Sequence, residues 1–506
     1  MRKGLRVAFG RGALTVLCLL AQLAALWAAV RLCGGAWGIW FRLAMTAAAW
    51  VAVVLIVAGD SEAGYKTAWC IVVLALPVFG LLCYALLGRS RKNPTLRRLH
   101  GVAQDYLQKN LPARQEALER LRLEAPEAAA QCTAIWQLSG CPVWYGGQTR
   151  WFSSGEACFS AMLEDLRRAE KSIWLEYFII RPGVMWSTIL EILKEKAANG
   201  VDVRLIYDDF GCFRGLPRNY PQALKKMNIA CRVCNPVTPR LSACLGSRDH
   251  RKLMLVDGNL CYTGGINLSD EYIGLRQRCG HWKDGAIRLE GAAVYGCTAL
   301  FLSMWTALGG EATAPPIPAQ KQGDYCYLQP FGDSPLHTRR VGRSAIAGLV
   351  FRAQKNIWLM TPYFVPDDAL CEALCLMAAS GVDVRIITPG VGDKWYTQAL
   401  TRAHDARLLA AGVRIYAYAP GFLHDKVCCV DGCMAIVGTV NLDYRSFYLQ
   451  FENGVWMYGK ATVAALEADF LATLAQCRPI TSDACAGVSW PRRVGRAILR
   501  LIAPLV

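Results

Sequence analysis

Histidine is scarce in this chain, six in 506 residues, so an arrangement that uses two of them in the same way carries weight. Cys231-Arg-Val-Cys234 has no second Cys-x-x-Cys to complete a paired zinc motif, and no structural metal is expected. The 22 cysteines make no disulfide framework either: several fall in apolar N-terminal runs, and Cys428 and Cys429 sit inside a strand-like stretch, so they read as small hydrophobes. Acidic residues are also short, 39 against 56 Lys and Arg, for a net charge of +17. Together with 54% hydrophobic residues, that balance is foreign to an ordinary soluble enzyme.

What is plentiful is apolar sequence at the N-terminus. Uncharged runs cover residues 13–30, 43–58 and 67–88, against a requirement of about 20 residues for a span. The third run is long enough alone; the second reaches length only with Arg42 near its end, where a long side chain can snorkel. The first follows Arg2, Lys3 and Arg6, so it fits a span, a signal peptide or a segment lying in the interface. Arg89, Arg91, Lys92, Arg97 and Arg98 follow the third run and put that side in the cytoplasm. Three spans would strand the basic N-terminus outside, whereas a hairpin of the last two, with Asp60-Ser-Glu62 in its loop, would not. Two or three transmembrane helices, a multi-pass cell-membrane location and a cytoplasmic catalytic part are expected.

Beyond residue 90 the sequence divides. Residues 91–130 read as a charged juxtamembrane connector, 131–311 as a first α/β half, 312–340 as a linker, and 341–480 as a second half. The halves repeat each other: Ser172-Ile-Trp-Leu-Glu matches Asn356-Ile-Trp-Leu-Met, and Gly200-Val-Asp-Val-Arg204 matches Gly381-Val-Asp-Val-Arg385. Each shows a strand–helix–strand pattern, so the active site is expected where the halves meet. Residues 481–506 interleave Arg492, Arg493, Arg496 and Arg500 with Trp490, Val494, Ile498, Leu499 and Leu501, a pattern that suits anionic lipid or the packing of a surface helix.

The two histidines that matter stand in H-x-K-x4-D copies, His250-Arg-Lys252 to Asp257 and His424-Asp-Lys426 to Asp431, each followed by Gly-x-x-Asn ending at Asn267 or Asn441. On an extended segment residues i and i+2 share a face, so each copy presents an imidazole beside an ammonium. Face to face, the copies supply a nucleophile and a general acid, with two lysines and two asparagines around the phosphoryl oxygens of a phosphodiester. Asp257-Gly258 and Asp431-Gly432 fit two roles: action at the site, or capping of a hairpin turn after an apolar strand. Asp284 and Glu452 occupy equivalent places in the repeat and are the candidates to hold each imidazole's second nitrogen.

Paired H-x-K-x4-D with a following G-x-x-N resembles the signature of the phospholipase D superfamily. The flanks Ile173-Trp-Leu-Glu-Tyr-Phe, Trp282-Lys-Asp, Thr361-Pro-Tyr-Phe-Val-Pro and Gly438-Thr-Val-Asn-Leu-Asp-Tyr-Arg-Ser446 resemble those of bacterial cardiolipin synthases. The resemblance implies two phospholipase D-like halves, each a mixed sheet flanked by helices, related by pseudo-two-fold symmetry. It also implies metal- and cofactor-free transfer between two phosphatidylglycerol molecules, giving cardiolipin and glycerol through a phosphatidyl-histidine. By family precedent His250 is the nucleophile and His424 the acid and base; the motif's symmetry does not decide it. A hydrolytic phospholipase D or a phosphatidylserine synthase would share the same residues. A nuclease is disfavoured by the apolar runs, and a lipid-binding scaffold by the completeness of both motifs.

Other polar residues have quieter readings. Glu176, Asp208 and Asp209 lie at strand ends and suggest positioning roles; His100, His281, His337 and His404 lack repeated partners and read as structural or surface groups. Trp282, Tyr363, Tyr444 and Phe447 are candidates for core packing or for lining a lipid entrance.

Overall fold

The computed structural model describes residues 24, 36–88, 93–237, 246–319 and 326–505. The chain divides into two units, one of residues 1–93 with 237–246 and 500–506, the other of residues 94–236 and 247–499.

In the first unit, the second apolar run becomes a continuous helix, Ala36–Ala58. Its segment Gly38–Ala58, with mean hydropathy 2.1, is the one helix among the described residues long and apolar enough to cross a membrane. Arg42 is inside this helix, its Nε donating to the Gly38 carbonyl. The third run, expected as one span, is instead two helices, Ala63–Ala75 of 13 residues and Pro77–Leu87 of 11. The cause is Pro77, which lacks an N–H and drives the preceding residue out of helical geometry; Leu76 sits at φ −134°, ψ 72°. The first short helix packs on the long one with Trp69 and Val73 in one cluster with Ala49, Ala52 and Ile56, and Leu81, Cys83 and Tyr84 of the second pack against that cluster. The first run, residues 13–30 apart from residue 24, and the basic residues Arg89, Arg91 and Lys92 lie outside the described residues.

The second unit is mixed α/β. Its first half is a seven-stranded sheet in the order Gln148–Phe152, Ala286–Glu290, Leu260–Gly264, Lys252–Val256, Ser172–Tyr177, Asp202–Asp208, Ala230–Cys234. The last three strands are parallel, with helix Val184–Ala198 crossing between the first two of them, and the motif strand Lys252–Val256 joins antiparallel to Ser172–Tyr177. Near-continuous apolar runs such as Ile173, Leu175, Val203, Leu205, Met254 and Val256 are buried between sheet and helices, each contributing roughly 1.5–3 kcal/mol on leaving water.

The second half repeats the scheme. Asn356–Met360, Asp383–Pro389 and Arg414–Tyr418 are parallel, helix Asp368–Ala379 crosses between the first two, and the motif strand Val427–Val430 is antiparallel to Asn356–Met360. The register is equivalent too: Ile173 faces Val256, and Ile357 faces Val430.

Two boundaries differ from the sequence expectation. The segment 312–340, read as a linker, contains the strand Tyr327–Asp333, which pairs along its whole length with Gln450–Tyr458. Pro330 is tolerated there because the strand on the other side, Trp144–Tyr145, reaches only Leu328 and Tyr327, so no ladder bond from residue 330 is lost on that side. The segment 91–130, read as a connector, is from residue 94 onward a part of the second unit, with helices Pro94–Asn110, Gln115–Glu124 and the start of Pro126–Ser139; Tyr295 Oη donates to the Asn110 carbonyl, and Tyr327 Oη to Glu124. The C-terminal stretch forms the helix Trp490–Ile502, with Trp490 and Ile498 exposed.

Candidate active site

Each motif histidine hangs on a strand of the opposite half. Ahead of the first motif, Arg248–Asp249 runs parallel to Gln450–Phe451, and the His250 N–H donates to the Phe451 carbonyl at 2.9 Å. Ahead of the second, Gly421–Leu423 runs parallel to His281–Lys283, and the His424 N–H donates to the Lys283 carbonyl at 2.7 Å. The residue after each accepting carbonyl is the carboxylate, Glu452 or Asp284. A backbone bond to residue i thus brings the side chain of i+1 onto the imidazole.

The pairing is therefore crossed. His250 Nδ1 is 3.0 Å from both carboxylate oxygens of Glu452, and His424 Nδ1 is 2.6 Å from Asp284 Oδ2. Both histidines and both carboxylates are buried. With Nδ1 committed to a carboxylate in each ring, Nε2 is the position open to a reacting atom.

The carboxylates are held differently. Thr439 and Ser446 each donate a hydroxyl hydrogen bond to Glu452, one to each oxygen. Asp284 receives the Gly285 N–H at 2.9 Å, and it fits because residue 265 has no side chain: a Cβ on Gly265 would stand 2.0 Å from Asp284 Oδ1. Gly265 and Thr439 are the same position of the repeated Gly-x-x-Asn, so one half uses it for space and the other for a hydroxyl.

Both lysines are buried beside the histidines. Lys252 Nζ donates to the His250 carbonyl at 2.6 Å, and Lys426 Nζ donates to the His424 carbonyl and stands 3.0 Å from His424 Nδ1. Burial, then the charge of Lys252 and Lys426, holds His250 well below the usual imidazole range; His424 is lowered by burial, then by Lys426 and Lys252. Each imidazole feels both lysines, so the two motifs form one electrostatic cluster. Burial pushes Lys252 down to about 7 and lowers Lys426, and it pushes Glu452 up to about 8 and raises Asp284. Both imidazoles are thereby biased toward the neutral form. An entering phosphodiester anion would offset the lysines and restore basicity where a proton must be carried.

Phe178 meets the His250 ring edge-on at 5.0 Å, while Tyr272, Trp282 and Phe422 surround His424 at 5.6, 5.5 and 5.8 Å. A half-apolar wall of this kind raises the strength of every charge inside it.

His250, Lys252, Glu452, His424, Lys426 and Asp284 are brought together; the motif aspartates are not. Asp257 lies at the far end of its strand at φ 51°, its carboxylate accepting the N–H groups of Glu170, Lys171 and Ser172. Asp431, at φ 53°, does the same for Gln354, Lys355 and Asn356. Of the two roles their Asp-Gly dipeptides fit, this geometry is turn capping. Asn267 accepts the Ile179 N–H and donates to Tyr272 Oη at 2.6 Å, while the Asn441 N–H donates to Ser446 Oγ.

Several supporting groups went unread in the sequence, although Glu176 and Asp208, which take part with them, have the positioning roles expected there. Lys283 binds Asp425 and Asp469, each at 2.9 Å, beneath the second motif. Arg251 binds Glu176 at 2.7 Å and Asp249 at 3.1 Å beneath the first. Asp208, pushed up to about 7 by burial, accepts the N–H groups of Phe210, Gly211 and Asp249. The middle residue of each H-x-K, Arg251 or Asp425, was the available clue, since a charge between two catalytic residues on a strand points into the core and needs a partner.

Residues 162–280 and 348–474 match the family model described as cardiolipin synthase, PLD-like domain, and residues 44–89 match one described as phospholipase D-nuclease N-terminal. A cardiolipin synthase of Geobacillus kaustophilus is 33% identical over 451 residues, covering 87% of this chain and 88% of that one. Cardiolipin synthase 2 of Bacillus cereus is 32% identical over 443 residues, covering 87% and 86%. The crystal structure of a phosphatidylserine synthase from Haemophilus influenzae shares the fold, with TM-score 0.58 at 14% identity, covering 74% of this chain and 99% of that one.

Proposed function

The chain belongs to the cardiolipin synthase family, phosphatidyltransferases of the phospholipase D superfamily, and from that premise we propose that it joins two phosphatidylglycerol molecules into cardiolipin and glycerol. His250 Nε2 attacks the phosphorus of the first lipid, forming an N–P bond as the P–O bond to glycerol breaks. His424 gives its proton to the departing alkoxide. The now neutral His424 takes the proton from a hydroxyl of a second phosphatidylglycerol, whose oxygen attacks phosphorus and releases His250. Protons and bonds balance over the cycle, with no redox step and no net change at either histidine.

Lys252 and Lys426 balance the charge on the phosphoryl oxygens, so the transfer needs no metal or cofactor; Asn267 and Asn441 are proposed to support the same oxygens, Asn267 with the amide hydrogen left over from Tyr272. The observation that carries the reading is the crossed histidine–carboxylate pairing. Its asymmetry favours His250 as nucleophile: two hydroxyls hold both oxygens of Glu452 in place on His250 Nδ1, where the carboxyl group can offset the positive charge that develops when an imidazole bonds to phosphorus.

The catalytic unit is proposed to face the cytoplasm, with the basic face of Trp490–Ile502 resting on anionic lipid. The test is to incubate the reconstituted full chain with headgroup-labelled phosphatidylglycerol, without metal or nucleotide, beside His250→Ala and His424→Ala. Cardiolipin with matched glycerol release, lost in both variants, is the expected result. Phosphatidic acid in place of cardiolipin would move the reading to hydrolysis.

A further inference from the structure

Two segments flank the strand pair that carries His424. Residues 390–396 are tied to it by the Gly390 N–H on the Tyr418 carbonyl and the Val391 N–H on the Gly421 carbonyl, at 3.0 and 3.1 Å. Residues 274–280 lead directly into His281–Lys283, where the His281 N–H reaches the Pro420 carbonyl. The segments neighbour each other: burial, then the Asp393 carboxylate, raises the Cys279 thiol. The first also touches the site wall, because Asp393 accepts from Tyr363 Oη at 2.9 Å and the Tyr363 ring packs on Phe422, which packs on His424.

At this rim the burial pattern reverses. Trp395 is 76% exposed, Leu275 60% and Val391 46%, Leu275 only three residues from the buried Tyr272 that packs on His424. Cations stand among them: Arg276 and Arg278 on one segment, Lys394 on the other, all exposed. Among the described residues Arg276 makes a long contact to Glu271, at 3.6 Å, and Lys394 leans over the Tyr396 ring. An indole and two aliphatic side chains held out in water beside three cations is costly for a surface that meets nothing but water. It is complementary to the boundary between phosphate headgroups and acyl chains.

We propose that residues 274–278 and 391–395 form a membrane-contacting lip: Trp395, Leu275 and Val391 enter the interface of an anionic phospholipid bilayer while Arg276, Arg278 and Lys394 bind its phosphates. The lip sets the mouth of the His424 side against the bilayer, so a lipid headgroup can reach the histidines without its acyl chains crossing water. This rests on the phosphatidyl-transfer reading above. It adds a docking element on the catalytic unit, separate from the N-terminal helices and from Trp490–Ile502.

The test uses the full chain reconstituted in phosphatidylcholine vesicles with increasing phosphatidylglycerol, comparing wild type, Trp395→Ser with Leu275→Ser, and Arg276→Gln with Arg278→Gln and Lys394→Gln. Each multiple variant is expected to raise the apparent KM in surface mole fraction about tenfold or more, leaving turnover of a short-chain phosphatidylglycerol, supplied below its micelle concentration, within about twofold. Hydrogen exchange over 391–396 should slow in phosphatidylglycerol vesicles relative to detergent. Equal losses on vesicle and monomeric substrate would overturn the proposal, since the residues would then shape the site itself, and so would unchanged vesicle kinetics with no exchange protection. Absence of cardiolipin from wild type on both substrates would instead sink the phosphatidyl-transfer reading, while exchange protection would still report on the lip.

Discussion

Glu452 holds His250 from across the duplicated fold: its two carboxylate oxygens both stand 3.0 Å from Nδ1, although the residues belong to different halves of the repeat. Neither half therefore contains a finished catalytic histidine. Glu452→Gln keeps the shape and removes the charge, so kcat is expected to fall by about 10²–10⁴ with little change in KM. In a His250→Ala background the same substitution should cost nothing further; an additive loss would show that Glu452 acts elsewhere.

Gly265→Ala tests the other carboxylate. The new methyl would meet Asp284 Oδ1 at 2.0 Å, forcing the side chain off His424. A drop in kcat of about ten- to a hundredfold is expected from a displacement of this size, with the melting temperature lowered only slightly. Wild-type turnover would mean that Asp284 can orient His424 from a second position.

The motif aspartates should behave as structural residues. Asp257 serves three backbone N–H groups of residues 170–172, two of them on exposed residues where water can substitute. Asp257→Ala is expected to lower the unfolding free energy by about 1–2 kcal/mol and leave kcat of the folded enzyme within a few-fold of wild type. Denaturant titration and turnover on the same preparation check this, and loss of turnover at full stability would return Asp257 to the chemistry.

Lys252 makes substrate binding pH-linked. Burial lowers it to about 7 from an ordinary 10.5, so between those values the folded chain holds fewer protons than the unfolded one. Stability from this group therefore rises with pH across that window and is lost as pH falls toward 7. A bound phosphodiester anion favours the ammonium, so a phosphonate monoester analogue should bind with proton uptake that is larger at pH 8 than at pH 6. Calorimetry in buffers of different ionisation enthalpy reads the uptake, and Lys252→Met should diminish it. Equal uptake at both pH values would contradict the assignment.

Much of this site was legible in the residues. The paired motif and the repeat located both histidines and both lysines, and equivalence within the repeat singled out Asp284 and Glu452. Which carboxylate serves which histidine was not legible, because it depends on Arg248–Asp249 docking on Gln450–Phe451 and Gly421–Leu423 on His281–Lys283. Those are short pairings between distant segments with no local pattern. Thr439 and Ser446 were hidden for the same reason, their hydroxyls having meaning only once Glu452 lies between them. In the fold, length and lack of charge make the third apolar run read as one span, and Pro77 inside it, where the helix breaks, is the signal that this reading leaves out. The strand Tyr327–Asp333 was masked by Pro330 and the Pro- and Gly-rich stretch before it, since proline argues against a strand unless the neighbouring strand has already ended.

The most direct measurement is to identify the residue that carries the phosphatidyl group. A phosphatidyl ester with a p-nitrophenol leaving group needs no acid, so His424→Asn should still form the covalent intermediate and then stall for want of a base. After acid-free quench and proteolysis, mass spectrometry should find the phosphatidyl group on the peptide containing His250, and none in His250→Ala. Label on His424 of the wild type, or release of cardiolipin without any histidine adduct, would contradict transfer through His250.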